Sequence, residues 1–132
     1  MLLNEYLTDI HNTIAEYTQT GLIVSSDVIS DVRTESIGLL KGVIDFLDGS
    51  TLFFKEYLDL RYRLDKKMYS FHYQDAQATL RFRYDNADHK PDLGFHDHKH
   101  TPQEMRLSTI PNLQDVLDEI VNTYLTELWE SL

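Results

Sequence analysis

Residues 81–100 read RFRYDNADHKPDLGFHDHKH and hold four of the chain's six histidines, with Arg81, Arg83, Lys90 and Lys99 among them. Another histidine, His72, lies shortly upstream. These residue types suit chemistry at a phosphodiester. That reaction needs a base for the nucleophile, an acid for the leaving oxygen and cations for the charge that builds on phosphorus. Imidazole serves either proton role near neutral pH, and guanidinium matches the fork of two phosphate oxygens. RNA carries its own nucleophile, the 2′-hydroxyl, so no metal and no cofactor is required. On this reading His72, His89, His98 and His100 are the candidate acid–base groups, and Arg81, Arg83 and Lys99 the candidate phosphate binders.

The same loop supports a metal reading. His96, His98 and His100 alternate at period two, with Asp85, His89 and Asp97 near in sequence. Imidazole and carboxylate together suit zinc, manganese or iron. The ligand set would be Asp85, His89, His96, His98 and His100, in a metal-dependent hydrolase or transferase. Against it, an alternating histidine tract in a loop is commonly a solvated polar segment, and no second ligand pair of recognised spacing occurs elsewhere. His11, on the first helix, reads as a surface residue.

Two strands must position this chemistry. KMYSFHYQ (67–74) alternates Tyr69, Phe71, Tyr73 with Met68, Ser70, His72, Gln74, and TLRFRYD (79–85) alternates Leu80, Phe82, Tyr84 with Thr79, Arg81, Arg83, Asp85. A loop over 75–78 pairs Gln74 with Thr79. It sets His72 opposite Arg81 and Ser70 opposite Arg83, with both hydrophobic sets on one side and both polar sets on the other. A slip of one residue would mix the two sets. The aromatic side reads as core, with a base-stacking platform as the alternative. The polar side, His72, Arg81, Arg83 and Asp85, leads into the histidine loop. For His72 alone, a part-buried sheet histidine without further role is an equal reading.

Further out, Leu3, Tyr6, Leu7, Ile10 and Ile14 recur at helical spacing and predict an amphipathic helix over about 2–17, stopped near Gly21. The stretch from Leu22 to Thr34 predicts a half-buried strand or two short ones. GVIDFLDGSTLFFKEYLDL predicts a hairpin, with Asp48 and Gly49 in a type I′ turn. A last helix starts near Asn112 with Asp115 in a capping-box arrangement, and its apolar face runs from Leu113 to Leu128. Residues 86–108 read as irregular. The order is helix, about five strands, helix: an α+β fold with an antiparallel meander, one face of the sheet covered by the two helices. The other face must be solvated or covered by a partner, and a homodimer stays open.

A chain of 132 residues with 42% hydrophobic and 26% charged residues suits one globular domain, 1–132. It has no cysteine, which excludes disulfides, thiolate metal sites and a cysteine nucleophile. No apolar run is long enough to span a bilayer. The first residues, with Asn4, Glu5 and Asp9, read as helix rather than signal peptide; the cytoplasm is the default compartment. The net charge of −10 is unevenly spread. Residues 61–110 hold nine of the twelve Lys and Arg and five of the six histidines. A locally basic surface can draw a phosphate backbone even on an acidic protein, because salt screens charges beyond about 8 Å. Simple solubilisation of the strands is the plainer reading of the same charges.

YSFHYQD at 69–75, FRYDNA at 82–87 and HKH at 98–100 resemble the TumE family of small toxin–antitoxin proteins, as do LLNEYL near the start, the acidic-glycine hairpin and the closing helix. The chain matches the family pattern at Arg83, Tyr84, Asp85, Asn86, Ala87, His89, Pro91, Phe95, His98, Lys99 and His100, and departs from it at Asp88, Lys90, His96 and Asp97. The resemblance implies the toxin half of a two-gene module. Its partner would be a cognate antitoxin, usually a helix-turn-helix DNA-binding protein. It also adds Tyr84, Asp85 and Asn86 to the substrate-binding candidates. Ribonuclease action by metal-independent His/Arg chemistry is the first expectation. A non-enzymatic module that binds a partner protein or nucleic acid is the second, and a metal-dependent enzyme the third.

Overall fold

The computed structural model describes residues 1–87 and 97–132. Helix α1 (Leu3–Thr18) opens the chain. Its apolar stripe buries Leu3, Tyr6, Ile10 and Ile14, the expected face. Gly21, at φ +83°, ends the turn that follows, a backbone conformation that favours glycine. Seven strands come next: β1 (Ile23–Val32), β2 (Ile37–Phe46), β3 (Thr51–Asp59), β4 (Asp65–Gln74), β5 (Leu80–Asp85), β6 (His98–His100) and β7 (Met105–Leu107). They pair antiparallel in strict chain order. Helices α2 (Leu113–Thr123) and α3 (Thr126–Ser131) close the chain.

The α+β meander is as expected, but the sheet has seven strands among the described residues rather than about five. The two additions, β6 and β7, fall in the stretch read as irregular. Each is three residues long, too short to show a period. The last helix is also split. Asn112 caps α2 through reciprocal bonds with Asp115, as the sequence predicts, but the helix stops at Tyr124 and restarts after Leu125. The hydroxyl of Thr126 donates to the Asn122 carbonyl at 2.7 Å across the break.

Alternation separates the faces of the sheet. Leu40, Ile44, Phe46, Leu52, Phe54, Leu58, Tyr69, Phe71, Tyr73 and Phe82 point one way and are buried with the apolar stripes of α1 and α2. Gly42 belongs to the same side. A Cβ there would stand 2.2 Å from the ring of Phe54, its cross-strand partner, so glycine is what lets that ring lie across β2. One ion pair sits within this layer. Glu56 and Lys66 meet at 2.6 Å with side chains 0% and 4% exposed. Tyr6 donates to Glu56 at 2.7 Å and Lys66 to the Pro111 carbonyl at 2.8 Å, which ties α1, β3, β4 and the entry to α2 together.

Three local expectations need correction. β1 is an edge strand and mostly exposed rather than half-buried, because it pairs on one side only; Val28 packs against the core while Val32 stays exposed. The 48–49 turn is not type I′, which needs positive φ at both central residues. Only Gly49 has it, at +87°. Phe46 instead accepts from Gly49 and donates to Ser50, a longer loop with glycine in the left-handed position. The β4–β5 register is displaced by two residues. His72 faces Arg83, Ser70 faces Asp85, and a bulge falls at Tyr73/Gln74. The loop closes on Ala78 at φ +63°, with Asp75 accepting from the backbone of Gln77 and Thr79. A shift of two preserves which side a residue takes, so the separation of faces survives from Phe82 to Asp85, and only the bulge at Arg81 interrupts it. Among the described residues no helix is long and apolar enough to cross a membrane.

Candidate functional site

On the sheet face away from the helices, one cross-strand row runs Val43, Phe53, His72, Arg83, His100. A second runs Lys41, Lys55, Ser70, Asp85, His98. These rows follow from sequence alternation in β2 to β6, since residues two apart on a strand share a side. Neighbours within a row stand about 5 Å apart at Cβ, so His72 and His100 lie about 10 Å apart with Arg83 between them.

Hydrogen bonds fix the orientation of this group. Nε of Arg83 donates to Oδ2 of Asp85 at 2.8 Å, and an Nη of Arg83 approaches Nδ1 of His72 at 3.4 Å. Guanidinium can only donate, so Nδ1 accepts and Nε2 of His72 carries the proton that it gives to Gln74 Oε1 at 3.1 Å. The ring of Phe53 lies 6.2 Å from that of His72. Oδ1 of Asp85 faces two imidazoles, Nε2 of His100 at 3.2 Å and Nδ1 of His98 at 3.5 Å. Burial by itself would raise the Asp85 carboxyl, but the hydrogen bonds from Arg83 and His100 outweigh it and hold the group below its ordinary value. Asp85 is therefore a carboxylate that orients its neighbours, as a carboxylate orients imidazole in hydrolase triads. His98 is 1% exposed and His100 22% at the side chain, so of the two His100 lies nearer the solvent.

Beside the group is an open hollow of about 390 Å³ lined by Lys41, Phe53, Lys55, Ser70, His72, Gln74 and Arg83, among others. Lys41 and Lys55 are direct cross-strand partners. Like charges in that position destabilise a sheet, and among the described residues no ion pair offsets either one. The sequence reading did not single out this pair. The signal was present: pairing the strands on either side of the 48–49 turn brings the two lysines together.

Other expected residues take different places. The bulge turns Arg81 toward the helix side, where its guanidinium lies 5.5 Å from the Tyr124 ring and 3.8 Å from Asp75, so it does not join His72. Lys99 alternates with His98 and His100 and faces the helices, paired with Glu119 at 2.9 Å. Tyr84 shares that side and donates to the same Glu119; burial first, and then this carboxylate, push its phenol up. Asn86 continues the sheet beyond β5, accepting from Tyr69 N–H at 3.1 Å and donating to the Lys67 carbonyl at 3.3 Å. Asp97 accepts from the Tyr69 hydroxyl at 2.9 Å. His89, Lys90 and His96 lie outside the described residues. Of the metal candidates, Asp85, His98 and His100 come together, with one ligand atom from each within 4.8 Å of the others.

The family model described as Toxin TumE matches residues 12–126 of the chain. No curated protein and no solved structure matches it. The match covers β1 to β7, the row from His72 to His100 and all of α2. The chain belongs to the TumE toxin family.

Proposed function

We propose that this toxin cuts RNA by acid–base chemistry on the sheet face away from the helices. The observation that carries the reading is the row His72–Arg83–His100 beside the opposed Lys41 and Lys55. A phosphate seated over Arg83 has an imidazole on each side and two ammonium groups within reach of the next phosphate along the strand. In this mechanism the phosphate draws the Arg83 guanidinium away from Nδ1 of His72, and that nitrogen takes the proton of the 2′-hydroxyl. The 2′-oxygen forms a bond to phosphorus, Arg83 stabilises the added negative charge, and the bond from phosphorus to the 5′-oxygen breaks. His100, held by Asp85 at 3.2 Å, gives a proton to that leaving oxygen. The products are a 2′,3′-cyclic phosphate and a 5′-hydroxyl, and no metal takes part. His98 and Asp85 are positioning residues in this scheme. Arg81, Lys99, Tyr84 and Asn86 serve the fold.

Membership of a toxin family supports a cognate antitoxin, and the helix-turn-helix kind is the one we propose. The face away from the helices is where it would neutralise the toxin. That face mixes cations with apolar side chains, Phe53 at 41% and Met68 at 39% exposure, and a protein can cover both at once. The test is purified toxin incubated with RNA in chelator. Cleavage to fragments with cyclic-phosphate ends is expected, with at least about a hundredfold loss in His72→Ala and Arg83→Ala and relief of growth arrest in the same variants. RNA bound but left intact, with growth arrest unchanged in every variant, would instead identify a non-enzymatic binding module.

A further inference from the structure

Asp85 divides its two oxygens unequally. Oδ2 is taken by Arg83 at 2.8 Å. Oδ1 faces Nε2 of His100 at 3.2 Å and Nδ1 of His98 at 3.5 Å. For a hydrogen bond to a carboxylate these distances are long, since charge-assisted pairs close to about 2.7–2.9 Å. They also fit co-ligands. Zinc bonds of about 2.0–2.1 Å at the tetrahedral angle put neighbouring ligand atoms about 3.3 Å apart. Two histidines two residues apart on β6 share a side of the strand, and Asp85, the cross-strand partner of His98, supplies the third donor. The Arg83–Oδ2 bond is then the outer-shell contact that holds a ligating carboxylate in place. His98 and Asp85 are 1% and 5% exposed, so these two donors are largely dehydrated before any ion arrives, while the His100 side chain is 22% exposed.

We infer that Asp85, His98 and His100 form a site for a zinc-class divalent ion, and that occupancy competes with RNA cleavage by taking His100 out of proton transfer. The competition rests on the reading under Proposed function; the site itself does not. Cobalt(II) is the direct probe, because its visible bands report tetrahedral N/O ligation. One equivalent should bind the intact protein and be displaced by zinc, and zinc should raise the melting temperature. Asp85→Asn, which keeps the shape of the side chain, and His100→Ala should each weaken binding by about tenfold or more, with His72→Ala unchanged. Melting curves of the ion-free variants show that each is folded. No cobalt bands in the parent protein, or equal binding in all variants, would overturn the site. With the ion bound, RNA cleavage should slow and recover on chelation. Metal binding in a protein that never cuts RNA would sink the cleavage reading and leave the site standing, whereas cleavage that depends on zinc would overturn the competition.

Discussion

Lys41 and Lys55 face each other across β2 and β3, and among the described residues no ion pair offsets either one. Replacing either with Ala removes a repulsion, so stability should hold or rise by less than about 1 kcal/mol in urea melts. RNA binding should weaken in the same variants. The slope of log affinity against log salt should become shallower by about 0.7 for each phosphate that is no longer neutralised, read by filter binding over a salt series. An unchanged slope would mean the pair does not touch the backbone. At this scale the sequence was only partly legible. His72, Arg83, Asp85 and His100 stood out by residue type, and they do converge. Arg81 and Lys99 stood out equally and do not, because a bulge and a strand alternation decide which way a cation points. Spacing along the chain carries the alternation once a strand is recognised, but β6 is too short to announce itself, and nothing in the residue types marks the bulge. Lys41 and Lys55 escape notice because ordinary surface lysines look the same until strands are paired.

The elements show where tolerance ends. Gly42→Ala forces a methyl group into the Phe54 ring and should cost about 1–3 kcal/mol with the site face unchanged, measurable as a lower urea midpoint. Glu56→Ala should cost more, about 3–5 kcal/mol, because it strands the buried Lys66 ammonium without its partner. The double variant with Lys66→Met should recover much of that loss. The strand alternation that separates these core positions from the site was plain in the sequence. The register was not. A loop of four residues and the actual loop with a bulge both keep the apolar residues together, and the left-handed residue that distinguishes them is Ala78, where nothing in the residue type announces the conformation. The break between α2 and α3 is silent for the same reason: neither glycine nor proline marks Tyr124 and Leu125.

Across the whole molecule, phenols bind the layers together. Tyr6 joins α1 to β3, Tyr84 joins β5 to α2, Tyr17 joins α1 to α2 through Asp118, and Tyr73 on β4 donates to Ser50 in the turn before β3. Burial raises all four above the ordinary value near 10, Tyr73 to about 12 and the others further. The folded chain therefore keeps these protons at a pH where an unfolded one releases them. Their contribution is complete below about pH 10 and fades as the pH rises through 12. Phenolate absorbance from this set should appear in one cooperative step with loss of near-ultraviolet circular dichroism; a gradual rise with the dichroism intact would contradict the burial. The strictly sequential sheet has a consequence for the cell that makes the protein. The face takes shape from one edge to the other in the order of synthesis, and its His72–Arg83 half cannot meet His100 until β6 has left the ribosome. A half-made chain therefore lacks the complete row, and whatever chemistry the row performs begins only in finished molecules.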